Sequence, residues 1–412
     1  MQSLIFACAI ALPASARPQA LSLEEALKLG EAQSPRLAAQ REMIHSAEAQ
    51  VGRAGELPDP KLKLGIENLP VTGADRFHYD RDFMTMRTLG VAQEFPNSAK
   101  REARNLRAER MRGVEGASLG AQRAGLRRDI AMAWLEAHYA ERAREALGRL
   151  AKQFELQIEA VRPGIARGRM TAAEGLLARQ ALEQTNDRII DQERMVARAR
   201  IMLAALVGSD AKRPLADAPD TSRLGIDREQ FLARLAQHPQ LQLLERKQEL
   251  AGAEVELARS MRRTDWMLEV AYGQRRPYFD NMLTVMIAFD LPWQTGRRQD
   301  RDIASKLSEL EQARAMREDA RRMQEAELRG WLADFDAAQR RTERAERVLL
   351  PLARDRREAA AAAYQGARGE LGAVLEAERM ITEAELGLAQ SLAERAKAWA
   401  NLSFIYLEQA AQ

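Results

Sequence analysis

Cysteine occurs once in the 412 residues, as Cys8, so no intrachain disulfide and no cysteine-based metal site is available. Histidine is nearly as scarce. His45, His78, His138 and His238 share no metal-ligand spacing, and no Walker loop or dinucleotide fingerprint is present, so neither a catalytic centre nor a cofactor is expected. No run of about 18 apolar residues follows the extreme N-terminus, which excludes an ordinary transmembrane helix from the mature chain. Any membrane span would have to be β. The net charge is only +3, with 63 basic residues interleaved among 60 acidic ones, and no basic stripe offers a surface for nucleic acid. Aromatics make up 5% and charged residues 30%, a balance that suits long helices better than a thick globular core.

At the N-terminus, LIFACAIALPASA pairs a short apolar stretch with the small-x-small pattern Ala14-Ser15-Ala16, which reads as a signal peptide over residues 1–16 although no Lys or Arg precedes it. Lipidation of Cys8 would want a small residue two positions earlier, where Phe6 stands.

What the chain does contain is a long-range repeat. Ala47, Ala49 and Val51 match Ala251, Ala253 and Val255, and Leu62, Leu64 and Ile66 match Trp266, Leu268 and Val270, every pair 204 positions apart. The same offset relates Pro35 and Leu37 to Pro239 and Leu241. Two copies of one unit are expected, residues 17–212 and 226–412, joined by a linker at 213–225. Each copy opens on a capping-box pattern, Ser22 with Glu25 and Asp227 with Gln230, followed by a helix of about 35 residues interrupted early by Pro35 or Pro239. Alternation then predicts strands over 61–69 and 87–95 in the first copy and over 265–273 and 284–291 in the second. The second strand of each hairpin stops at a proline, Pro96 or Pro292, and Pro58 and Pro60 precede the first. From Ser98 to Arg162, and from Arg297 to Tyr364, the composition predicts rods on the order of 100 Å that need coiled-coil partners. Each rod ends in a glycine-bearing break, with Gly164 and Gly168 in one copy and Gly366 and Gly369 in the other, before a returning helix.

Four strands cannot close a membrane barrel, which needs about eight, and lipid tolerates no open edge. Either several chains share one barrel, or the strands form a small soluble sheet in a periplasmic coiled-coil scaffold or adaptor. The hairpin regions 57–96 and 264–293 hold ten of the 21 aromatics, as interfacial girdles would require, although any strand favours aromatics. Met84-Thr85-Met86 and His78 on the first hairpin could touch a soft metal ion or simply fill loop and strand positions.

The strand-proline-helix junctions VAQEFPNSAKR and IAFDLPWQTGRR, and the tip segments GRMTAAEGLLARQAL and YQGARGELGAVLEAER, resemble the TolC-like outer-membrane efflux factors, particularly their heavy-metal-resistance branch. The resemblance runs from LSLEEAL at residue 21 to the C-terminus. It implies a mainly α fold with a small β part, in which each protomer gives four strands to a trimeric 12-stranded outer-membrane barrel. Its helices would continue as a hollow α-barrel across the periplasm. It implies a homotrimer working with a periplasmic adaptor and an inner-membrane resistance-nodulation-division pump, and passive export of heavy-metal cations. Pro58, Pro60, Pro96 and Pro292 would mark the crossing from helix to strand. The family narrows its pore at a D-V-L-D-A-like segment, which here reads Ala373-Val374-Leu375-Glu376-Ala377, so that Glu376 keeps one acidic position and Ala373 replaces the other. Tyr364 matches a family tip tyrosine, and Glu370 lies in the same segment. Gly164, Gly168, Gly366 and Gly369 would give the tip the open backbone that adaptor docking and gating need; a plain helical-hairpin turn would also want glycine.

Overall fold

The computed structural model describes residues 20–166, 171–366 and 368–406. Residues 1–16, with Cys8, and Gly168 lie outside them. Helices α1 (Leu23–Gln33) and α2 (Pro35–Ala54) lead to strands β1 (Lys61–Glu67) and β2 (Met86–Phe95), then to α3 (Ser98–Ala166) and α4 (Ala172–Val207). After α5 (Arg228–Ala233) the order recurs as α6 (Pro239–Ser260), β3 (Trp266–Gln274), β4 (Met282–Phe289), α7 (Gln299–Arg344), α8 (Leu350–Gln365) and α9 (Leu371–Ser403). No helix among the described residues is long and apolar enough to cross a membrane.

The chain forms two compact units, one from residues 36–122 and 235–324, the other from residues 1–35, 123–234 and 325–412. The first unit carries one antiparallel sheet in the order β1-β2-β3-β4. Its helices are stitched by ion pairs in which Glu254 on α6 accepts from Arg107 on α3 and Lys306 on α7, both at 3.2 Å, and Gln40 on α2 donates to the Glu115 carboxylate at 2.6 Å.

The second unit is helical, with a core around Ile130, Trp134, Leu135, Leu203, Leu328, Ala396 and Leu402, all fully buried. Trp134 Nε1 donates to the Leu21 carbonyl at 3.1 Å, satisfying the buried indole, and Leu21 bridges in parallel to Leu215. A Cβ on Gly30 would lie 2.3 Å from Ile130 Cδ1, so α1 approaches α3 closely only because glycine stands there. The Tyr406 hydroxyl, pushed up to about 12 by burial, donates to the Phe231 carbonyl at 2.6 Å.

Several boundaries depart from sequence expectation. Helix α3 does not stop at Arg162 but continues through Pro163 and Gly164 to Ala166. Ser22 caps α1 as expected, its Oγ accepting from Glu25 N at 3.2 Å, whereas Asp227 makes no side-chain cap bond. The long helix expected after Asp227 is divided, and α6 is capped instead by His238 Nδ1, which accepts from Gln240 N at 3.1 Å ahead of Pro239. Between α7 and α8 the helix widens into one π-turn, Ala345–Leu349, just before Pro351. Proline has no N–H for the Arg347 carbonyl and its ring crowds that oxygen, and the wider turn relieves both.

Candidate functional site

In the sheet, cross-strand register decides which side chains share a face. Leu64, Leu89, Tyr272 and Leu283 stand in one row, and Leu62, Val91, Val270 and Val285 in the next. These eight side chains are all exposed, Leu64 at 75% and Leu283 at 70%. Phe95, Trp266 and Phe289 end this apolar face with an aromatic row, in which Phe95 stacks on Trp266 at 4.2 Å. The opposite face carries Lys61, Lys63, Glu67, Thr88, Glu94, Glu269 and Thr284 among Gly65, Gly90, Ala92, Ala271 and Gly273, together with Met86, Met267, Met282 and Met286. A Cβ on Gly90 would come 2.8 Å from that of Ala271, so β2 and β3 approach closely on this face only because glycine stands there. Lys61 pairs with Glu94 at 2.5 Å, and Lys63 with Glu269. An uncovered apolar face set against one that holds every charged pair of the sheet, with small residues and methionines between, fits the alternation of a lipid-facing sheet with a lumen.

Each junction proline lies outside the strands: Pro58 and Pro60 precede β1, Pro96 separates β2 from α3, and Pro292 follows β4. The Pro58 carbonyl accepts from Gln93 Nε2 at 2.7 Å. A cluster that sequence reasoning missed centres on Asp265, just before β3. Its Oδ1 accepts from Asn97 N at 2.8 Å and Asn97 Nδ2 at 2.7 Å, and its Oδ2 from Lys100 Nζ at 2.5 Å, while Asn97 Oδ1 caps α3 by accepting from Lys100 N. Burial raises the Asp265 carboxyl, but Lys100 and Asn97 outweigh it and hold the group below its ordinary range. The helix-strand joints of the two hairpins are thereby tied together.

The tip residues lie in the helical unit. Leu371 and Leu375 of α9 pack with Leu150, Phe154 and Val161 of α3 and Ala178 of α4, and Tyr364 of α8 lies against this cluster. Burial and the nearby Glu174 carboxylate raise the Tyr364 hydroxyl. Glu174 also completes a capping box with Thr171 at the start of α4. Glu370 is the extended residue before α9 and makes no side-chain cap bond. A Cβ on Gly369 would meet the Ala363 carbonyl carbon and Tyr364 N, both at 3.2 Å, so glycine is needed for that close approach. Gly366 has φ −80° and donates to the Ala362 carbonyl at 3.0 Å, a conformation open to any residue. Gly164 is helical, next to Pro163.

Glu376 is exposed and lines a cleft of about 420 Å³ between α4 and α9 with Gln180, Gln184, Arg188 and Arg379. Its carboxylate is 3.3 Å from Arg379, which also approaches Glu383 at 3.6 Å, and Glu383 in turn faces Arg188 at 4.0 Å. The acidic position is therefore one member of an alternating charge ladder. Arg379 was legible at i+3 from Glu376. Two residues on, Glu378 is raised by burial against the partial compensation of Arg357 on α8 at 3.8 Å. Among the described residues no three His, Cys, Asp or Glu side chains cluster as a metal site would need.

Residues 26–209 match the outer membrane efflux protein family. Among curated proteins none matches the sequence. Solved structures share the fold at low identity. VceC from Vibrio cholerae is 18% identical with a TM-score of 0.77, over 93% of this chain and 95% of its own. CusC is 15% identical with a TM-score of 0.77, over 93% and 92%. The Campylobacter jejuni outer membrane channel CmeC is 13% identical with a TM-score of 0.74, over 95% and 87%. The fold is thus TolC-like, mainly helical, with four antiparallel strands among the described residues. The sequence match covers the first half of that fold, so residues 26–209 are similar to outer membrane efflux proteins and the whole described chain shares their fold. The soluble-scaffold alternative has no support in these findings.

Proposed function

We infer that the chain is the passive exit duct of a tripartite efflux assembly, in which three copies close one 12-stranded barrel. The observation that carries this is the sheet: an uncovered apolar face, an opposite face that holds the Lys–Glu pairs among small residues and methionines, and two open edges, which lipid forbids unless other copies cover them. Repeats 17–212 and 226–412, joined by 213–225, each supply one hairpin and one helical pair. A resistance-nodulation-division pump in the inner membrane supplies the energy through a periplasmic adaptor, which docks on the tip turns containing Gly164, Gly168, Gly366 and Gly369. Glu376, Tyr364 and Glu370 line the periplasmic constriction, where three copies of Glu376 form a cation-attracting ring, weakened by Arg379 at 3.3 Å. Heavy-metal cations are the cargo; this rests on the resemblance of junction and tip segments to the metal-resistance branch.

Cell fractionation, followed by mass determination of the detergent-purified protein with bound detergent subtracted, tests the duct. A trimer in the outer-membrane fraction is expected; a monomer or dimer released without detergent would refute it. Cargo is tested in a deletion strain, where sensitivity to copper, silver, cobalt, zinc or cadmium without sensitivity to organic drugs is expected, and the reverse pattern would replace metals with drugs.

A further inference from the structure

The two open edges of the sheet belong to β1 and β4, and the internal repeat indicates how they meet. At the observed β2/β3 seam the ladder ends with Phe95 opposite Trp266, so Pro96 lies opposite Asp265. In the sequence repeat Pro96 corresponds to Pro292, and Asp265 to Lys61. Resting on the trimeric-duct reading, we propose that β4 of one copy pairs antiparallel with β1 of the next in the register that sets Asp290 opposite Lys63 and Phe289 opposite Leu64.

Four observations carry this register. It continues both faces, setting Phe289 and Ile287 beside Leu64 and Ile66 on the apolar side, as face alternation requires. It ends the ladder where proline requires, with Pro292 opposite Lys61, the residue after Pro60. It brings the exposed Asp290 carboxylate to Lys63, which already pairs with Glu269 on the polar face. Finally, it closes a barrel at the upper end of the usual strand tilt of ~35–45°. Carried through the observed pairings, it staggers each copy by about six residues, which for a rise of ~3.3 Å and a strand spacing of ~4.8 Å tilts the strands by about 46°. A slip placing Lys63 against Pro292 would put proline inside the ladder and tilt the strands by about 54°, beyond the usual ~35–45°. The opposite slip, Lys61 against Asp290, gives about 35° but runs the ladder into Pro60, which has no N–H to donate. The experiment must separate it, because the β3/β4 hairpin is itself shifted by two residues from the β1/β2 hairpin under the sequence correspondence.

The Asp290 amide donates to the Asp265 carbonyl at 2.9 Å, so it is turned toward β3. Against β1 of a second copy, Asp290 then occupies a non-hydrogen-bonded position, where side chains are closest and a disulfide fits best. In a Cys8→Ser background, Asp290→Cys is combined in turn with Lys61→Cys, Lys63→Cys and Gly65→Cys, and outer membranes are oxidised and run without reductant. Covalent trimers are expected from the Lys63 pair, at least ~5-fold above the other two, which sit one diagonal step away. Dominance of the Lys61 or Gly65 pair would overturn the register while leaving edge pairing and the duct intact. Trimers that none of the pairs cross-links would overturn the β1/β4 pairing itself. Monomers by detergent-corrected mass would overturn the duct reading as well.

Discussion

Replacing Asp265 with alanine removes three interactions at one point and leaves two donors without their acceptor. The Lys100 and Asp265 side chains are only 16% and 19% exposed, so the pair is largely desolvated, and breaking it strands the Lys100 ammonium. Hydrogen bonds to a charged group contribute about 1.5–3 kcal/mol, and removing one partner of a buried pair costs about 3–5 kcal/mol. Discounting for the remaining exposure, Asp265→Ala should cost about 3 kcal/mol, and Asp265→Asn, which keeps an acceptor for Asn97 but loses the charge, about 1–2 kcal/mol. Thermal unfolding in detergent followed by circular dichroism reads both, and a double-mutant cycle with Lys100→Met should return a coupling of about 1.5 kcal/mol or more. The pH dependence gives an independent check. The folded carboxyl is held below its ordinary value of 3.8, so the unfolded state binds the proton more readily. The contribution is therefore complete above 3.8 and is lost as pH falls through the lowered folded value. Asp265→Asn should flatten that acid limb of the stability curve. An Asp265→Ala protein within about 0.5 kcal/mol of wild type, with the acid limb unchanged, would refute the clamp; such a difference is ordinary for unremarkable surface positions.

Further outcomes follow from the tip and the core. In planar bilayers Glu376→Gln should lower cation selectivity only modestly, because Arg379 already offsets the carboxylate, whereas Arg379→Ala should raise it; unchanged reversal potentials in both would remove Glu376 from the constriction. Gly30→Ala should lower stability by about 1–3 kcal/mol through the Ile130 contact, and Ile130→Val, which removes the offending Cδ1, should recover part of it; identical Tm values for the single and double variants would refute the steric account. Trp134→Phe should cost about 1 kcal/mol through loss of the indole hydrogen bond, no more because the Leu21 carbonyl keeps Ala216 N at 3.0 Å; urea unfolding of the detergent-solubilised protein measures it, and a loss of several kcal/mol would refute that reading.

Strands and their ends were legible in the sequence because their determinants are local: alternation at Leu62, Leu64 and Ile66, and prolines that cannot donate into a ladder. The breaks around Pro35 and Pro239 were legible for the same reason. The Asp265 cluster was not, because Asn97 is 168 positions away and nothing in a single sequence joins the two. Asp227 satisfied the capping pattern without forming the bond, since a pattern names a candidate donor and acceptor but not the rotamer that would bring them together. At the tip, the acidic residue was found, but its meaning changed once Arg379, Glu383 and Arg188 stood beside it.

The π-turn at Ala345–Leu349 acts as a phase corrector. Upstream, Leu328, Phe335, Ala338, Thr342 and Ala345 are buried at alternating three- and four-residue steps and their multiples, while Leu349, where the next step would fall, is 44% exposed, and burial resumes at Ala353. One extra residue in a helical turn rotates everything beyond it by about 100° relative to an uninterrupted helix. Deleting a single residue between 345 and 349 would therefore close the turn into a regular α-helix with Ala353 and the rest of α8 still in phase, whereas forcing all five residues into α-helical turns would rotate Ala353 away from α9. An in-frame deletion of one codon should thus be tolerated better here than elsewhere in α7 or α8, and aligning this chain without a gap to a sequence that lacks the wide turn would pair positions that point in different directions.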